Sequence, residues 1–249
     1  GARAVKVVDL DGDGCNDIVA ACKDAWEPKF FRSKCRASLT SNDFTEISLG
    51  YPTFGSWENF NKIIEFEVAD LDGDGNNDVV YGNENGDAGV LVFLFTYSGD
   101  TVTQVKKWAL MDGFTSIAEP EKVQSVAICD VDGDGDLDIV SLSRGDVFVY
   151  HESRLNEGWT TSSSESLFKQ PVVLTQASAD INDGKEIRCK DLDGDGYPEL
   201  SLADKNGGIK IIQNLGPSAG FVASDPAVVS SGEIRCEVFY LSLNPYCLY

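Results

Sequence analysis

The chain holds 249 residues, with 41 acidic side chains against 20 basic ones and a formal net charge of −21. Its 42% apolar content supports a buried core, and so acidic a chain repels nucleic acid and anionic membranes, which attract clustered Lys and Arg. No apolar run reaches the roughly 18 residues that a membrane-spanning helix needs.

No secretory leader is legible, and Gly1 in place of Met reads as a processed or trimmed end. Seven Cys without a Cys-x-x-Cys pair point to disulfides in an oxidising compartment rather than to a zinc or redox site. The odd number leaves at least one Cys free or bonded outside the chain.

The first predicted element is the short run Val5–Val8, too short for a helix and rich in Val. The acidic string Asp9-Leu10-Asp11-Gly12-Asp13-Gly14-Cys15-Asn16-Asp17 follows, then a second run at Ile18–Ala21. An irregular insert comes next, flanked by Cys22 and Cys35, which read as the best local disulfide pair. The pattern returns 61 residues later, with Phe66–Ala69, the string Asp70–Asp78 and Val79–Tyr81. It returns again after 60 residues, with Val126–Cys129, Asp130–Asp138 and Ile139–Leu142, and after a further 61, with Ile187–Cys189, Asp191–Glu199 and Leu200–Ala203. Turn signals at Asn85-Gly86, Arg144-Gly145-Asp146 and Asn206-Gly207-Gly208 lead into third strands at Val90–Phe95, Val147–Tyr150 and Ile209–Ile212. Fourth strands are predicted at Val102–Trp108, Val172–Leu174 and Ala227–Val229. No amphipathic helix is legible.

About 60 residues of antiparallel strand, repeated at a fixed period, predict an all-β chain and specifically a β-propeller of four four-stranded blades. Residues 1–232 are expected to form it. Residues 233–249 form a tail, and the segment Gly232–Cys236 that leads into it echoes Gly184–Cys189 without an acidic string after it. Three placements are open for the tail: closing the ring on the first blade, starting a degenerate fifth blade, or adding to a neighbouring molecule head to tail.

Each acidic string reads as a divalent-cation loop. Positions 1, 3 and 5 supply carboxylates: Asp9, Asp11 and Asp13; Asp70, Asp72 and Asp74; Asp130, Asp132 and Asp134; Asp191, Asp193 and Asp195. Glycine at position 6 permits the sharp turn, and position 7 offers its carbonyl, at Cys15, Asn76, Asp136 and Tyr197. Position 9 closes the shell with Asp17, Asp78, Asp138 or Glu199. An all-oxygen set favours Ca²⁺ over Zn²⁺ or Cu²⁺. Two carboxylates about 5 Å apart repel by about 0.8 kcal/mol even in water, and four make six such pairs, so an empty loop stores about 5 kcal/mol before screening. An EF-hand is excluded, because its position 12 is Glu and here it is Ala20, Tyr81, Ser141 or Leu202.

These strings resemble the calcium loops of the FG-GAP/VCBS repeat, found in integrin α-subunit propellers and related extracellular propellers. The resemblance implies a loop joining the first two strands of a blade, with ligands at Asp9, Asp11, Asp13, Asp17 and their equivalents. It covers nearly the whole chain. The chain departs from the family in three ways: only Phe54-Gly55 answers to the name-giving segments, Glu199 replaces Asp, and four repeats stand where seven blades are usual.

Other features read as structural. Arg144-Gly145-Asp146 fits a hairpin turn, and His151 has no recognisable nucleophile motif beside it. Trp26, Trp57, Trp108 and Trp159 are out of phase with the repeat, as core residues would be. Cys189 and Cys236 occupy equivalent positions, and Cys247 could tie the tail to Cys15 or to another chain. The expectation is a non-enzymatic extracellular or cell-surface propeller for adhesion or assembly, with a protein or glycan partner or its own copies. The alternatives are a carbohydrate-binding propeller and, third, a polysaccharide hydrolase or lyase. The strings hold 17 of the 41 acidic residues, so the remaining 24 nearly balance the 20 basic ones. The acidity is therefore concentrated where cations are expected.

Overall fold

A computed structural model describes residues 2–22, 29–36, 38, 40–47, 63–83, 89–98, 101–110, 123–143, 147–160, 162–163, 165–174, 184–204, 208–217 and 221–222. These residues form four antiparallel sheets, each a meander in chain order. The first contains β1 (Ala2–Val8), β2 (Asp17–Cys22), β3 (Lys29–Ser33) and β4 (Phe44–Ile47). The second contains β5 (Ile63–Ala69), β6 (Asp78–Asn83), β7 (Val90–Ser98) and β8 (Thr101–Ala109). The third contains β9 (Val123–Cys129), β10 (Asp138–Ser143), β11 (Val147–His151) and β12 (Val172–Val173). The fourth contains β13 (Gly184–Lys190), β14 (Glu199–Asp204), β15 (Gly208–Asn214) and β16 (Phe221–Val222). Helical structure among the described residues is limited to 3-10 turns at Ser41–Asp43 and Leu155–Glu157.

Register places each acidic string between the first two strands of a sheet. Val8 pairs with Asp17, Ala69 with Asp78, Cys129 with Asp138 and Lys190 with Glu199. The ninth residue is thus the first residue of the second strand. The first sheet's third strand runs through the stretch expected to be an irregular insert, and the fourth sheet's outer strand is Phe221–Val222. The predicted strand Ala227–Val229, the Arg144–Asp146 turn, Trp26, Trp57 and the tail 233–249 lie outside the described residues.

Alternating side chains on a strand face opposite ways, and here both faces of the middle sheets are buried. Val79 and Tyr81 join Val19, Phe30 and Phe66 in a core between the first and second sheets. Val80, between them in sequence, joins Val92, Val126 and Ile139 between the second and third. Val140, Leu142, Ile187, Leu200 and Leu202 fill the space between the third and fourth. Two-sided burial explains why these strands read as unbroken apolar runs. Trp108 and Trp159 meet edge to face at a centroid distance of 5.8 Å, beside the core of the second and third sheets.

The first strands β1, β5, β9 and β13 pack side by side in chain order. Arg188 on β13 reaches Glu65 at 2.9 Å and Glu67 at 3.4 Å on β5, two sheets away. Side chains of the second and fourth sheets therefore meet across the first strand of the third. A disulfide joins Cys129 on β9 to Cys189 on β13, with Cα atoms 6.3 Å apart. The second disulfide corrects the sequence expectation: Cys35 bonds Cys15 in the first acidic string, not Cys22. Pairing Ile18 with Phe31 carries the chain after β3 back toward the string, which places Cys35 opposite Cys15.

Candidate metal centre

The four acidic strings fold alike. The position-1 carboxylate folds back over its own loop: Asp70 accepts from the N–H groups of Gly73 at 2.8 Å and Gly75 at 2.9 Å. Asp130 repeats this with Gly133 at 2.8 Å and Gly135 at 2.9 Å, and Asp191 with Gly194 at 2.7 Å and Gly196 at 3.1 Å. Asp9 accepts from Asp13 at 3.1 Å and Gly14 at 2.8 Å. The position-5 carboxylates of Asp13, Asp74, Asp134 and Asp195 accept from the position-7 N–H groups of Cys15, Asn76, Asp136 and Tyr197. Glycine is required at position 4 as well as 6, a demand that the sequence reading did not draw out: Gly73 has φ 73° and Gly75 φ 89°, with the same pair of left-handed values in every loop.

Position 9 has a structural task in addition to the predicted one. Asp78 is fully buried; one oxygen accepts from Leu71 N–H and the other from Phe95 N–H on the third strand, both at 2.8 Å. Asp17 makes the same brace to Leu10 and Ser33, and Asp138 to Val131 and Ser153. Glu199 keeps the bond to Leu192.

In the second, third and fourth loops the carboxylates of positions 1, 3 and 9 converge: Asp70, Asp72 and Asp78; Asp130, Asp132 and Asp138; Asp191, Asp193 and Glu199, each set with one oxygen per residue within 4.8 Å of the others. In the first loop the converging set is instead Asp9, Asp11 and Asp13. Burial, reinforced by neighbouring carboxylates, pushes Asp72 up to about 6, Asp138 to about 7 and Asp78 to about 8. Asp17, Asp132 and Asp136 are raised for the same leading reason. One oxygen of Asp72 and one of Glu199 are buried without a hydrogen-bond partner. Orphaned carboxylate oxygens in an all-oxygen cluster fit a hard divalent cation.

The first loop touches the second, and the third touches the fourth. The Asn77 side chain donates to the Asp9 carbonyl at 2.6 Å, and Asn214 at the end of β15 donates to the Val131 carbonyl of the third loop at 2.8 Å. The Tyr197 ring lies against Gly133, where an added Cβ would sit 2.8 Å from it. Cys15 and Asp136, predicted to offer carbonyls, also use their side chains: Cys15 in its disulfide and Asp136 as acceptor from the Asn156 N–H. His151 is completely buried, and burial holds its pKa down at about 3, so it is a neutral core residue.

Residues 70–141 match the model of the FG-GAP-like repeat family. No curated protein matches the chain. Among solved structures the chain is similar to an Agrocybe aegerita lectin, described by its specific recognition of non-reducing terminal N-acetylglucosamine, at 19% identity and a TM-score of 0.51. The match covers 88% of this chain and 50% of the lectin, so the chain spans about half the lectin's length. The likeness is one of fold, and together with the repeat it supports a β-propeller-like architecture.

Proposed function

We propose that the chain is a non-enzymatic, calcium-stabilised extracellular β-propeller of four blades that acts as an adhesion or interaction module and associates head to tail with further copies. The FG-GAP-like repeat and the two disulfides support an extracellular binding module, and none of the described helices is long and apolar enough to cross a membrane. The loops described above would take the calcium through Asp70, Asp72 and Asp78 and their equivalents. Bound there, the ion neutralises carboxylates that otherwise repel, and so stiffens the edge on which the loops meet.

One observation carries the association. The inner-strand position held by Phe66, Val126 and Ile187, each 0% exposed between sheets, is held in the first sheet by Val5 at 49%, with Val7 beside it at 66%. At the opposite end, the position-2 residues Leu10, Leu71 and Val131 are buried, whereas Leu192 is 58% exposed. The two end sheets thus present apolar halves of the same kind of joint that the inner sheets complete. Joining them between copies is a heterologous contact, to which the tail 233–249 would add its strand. Light scattering across protein concentration tests this. Particles well above 27.0 kDa that fall to monomer with Val7→Lys support it; a monomer at every concentration contradicts it.

A glycan partner is the second reading, favoured by a cleft of about 400 Å³ lined by Arg154, Glu157, Trp159, Ser163 and Glu165 in a fold similar to a lectin's. A glycan array probed with calcium present tests it, and no binding to any glycan retires it.

A further inference from the structure

The first acidic loop differs from the other three in what faces its position-3 carboxylate. Register makes Arg32, Leu94 and Gln213 on the third strands equivalent to Glu152 just past β11, since their preceding neighbours Phe31, Phe93, Ile212 and His151 pair with Ile18, Val79, Leu200 and Ile139. Arg32 donates from Nε to Asp11 and from Nη2 to Asp13 at 3.0 Å. Its side chain is 15% exposed and that of Asp11 only 2%. In the second loop the equivalent residue is apolar, and the Asp72 oxygen is left buried and unpartnered. In the fourth, Gln213 makes only a long 3.4 Å bond to Asp193.

We infer that Arg32 is the resident cation of the first loop, which therefore keeps its fold without a divalent ion, while the second, third and fourth loops take one each. This rests on the calcium reading above. A guanidinium is permanently charged and presents its donors in a fixed fork, so it neutralises Asp11 and Asp13 at any calcium concentration. Entry of an ion would break two charge-assisted hydrogen bonds, placing the first loop's affinity about a hundredfold or more below that of the others. Two further features agree. The Cys15–Cys35 disulfide already closes this loop. Its position-9 carboxylate, Asp17, stands outside the converging set, unlike Asp78, Asp138 and Glu199.

Equilibrium dialysis of the full chain against Ca²⁺, with metal analysis, tests the inference. At free calcium about tenfold above the dissociation constant of the strong sites, three ions should be bound per chain. Arg32→Gln should raise the number to four, Asp11→Asn should leave it at three, and Asp72→Asn should lower it to two. Four ions in the unaltered chain, or a loss of one with Asp11→Asn, would overturn the inference and leave the calcium reading standing. No bound ion in any of these proteins would overturn both. The Asp11→Asn arm decides the matter even if Arg32→Gln does not fold.

Discussion

The side-chain amide of Asn77 donates to the main-chain carbonyl of Asp9 at 2.6 Å, while its own N–H donates to Leu10 at 3.1 Å. One residue of the second loop thereby clamps the first, across 68 positions of sequence. Asn77→Ala removes the side-chain bond and keeps the main-chain one. A loss of about 1 kcal/mol is expected, measured as a lower midpoint of urea unfolding.

Asp78 should be far more sensitive. Asp78→Ala leaves the buried N–H groups of Leu71 and Phe95 without an acceptor. The cost should be about 2–4 kcal/mol even in chelator, because the brace acts with or without an ion. An unfolding midpoint in chelator equal to that of the unaltered chain would show that position 9 serves only a metal.

The repeat and its turn signals made most of the fold legible, including the third strands at Val90–Phe95, Val147–Tyr150 and Ile209–Ile212 and the fourth at Val102–Trp108 and Val172–Leu174. The acidic strings recur at fixed spacing between apolar runs that pack between sheets, with Val5 and Val7 of the first run exposed, so the first two strands of each sheet stand out. The first sheet's outer strands do not: Lys29–Ser33 and Phe44–Ile47 are short, mixed in polarity, and set by pairing rather than by pattern. The carboxylates of positions 1, 3, 5 and 9 were legible as a group because one loop carries them, but that position 5 stands outside the converging sets of the second, third and fourth loops was not. Arg32 was not, since only the pairing of β2 with β3 brings it to Asp11, 21 residues away. The same pairing decided Cys35 for Cys15 over Cys22.

The Cys129–Cys189 disulfide closes a loop of about 60 residues between the third and fourth sheets. Replacing both cysteines by Ala should lower stability by about 2–4 kcal/mol. Differential scanning calorimetry of the double variant checks this, and an unchanged Tm would mean that the apolar core between these sheets suffices.

Stability should fall with rising pH in the absence of metal, and calcium should offset that fall. Burial raises Asp72 to about 6, Asp138 to about 7 and Asp78 to about 8, above the ordinary carboxylate value of about 4. The metal-free fold therefore holds more protons than the unfolded chain across this window. Its stability is greatest below about pH 4 with respect to these groups and falls as pH rises through about 8. Calcium needs the ionised carboxylates, so its contribution grows over the same range. Melting in chelator should show Tm falling from about pH 5 to about pH 8, with excess calcium removing the fall. A Tm that rises with pH in chelator would contradict the assignment.

Thermal melting of the full chain near neutral pH, in calcium and in chelator, bears most directly on the calcium reading. At free calcium about tenfold above the dissociation constant each occupied loop contributes about 1.4 kcal/mol, so three contribute about 4 kcal/mol. A Tm higher in calcium, returning to the chelator value when the ion is withdrawn, is the predicted result; the same Tm in both would contradict it.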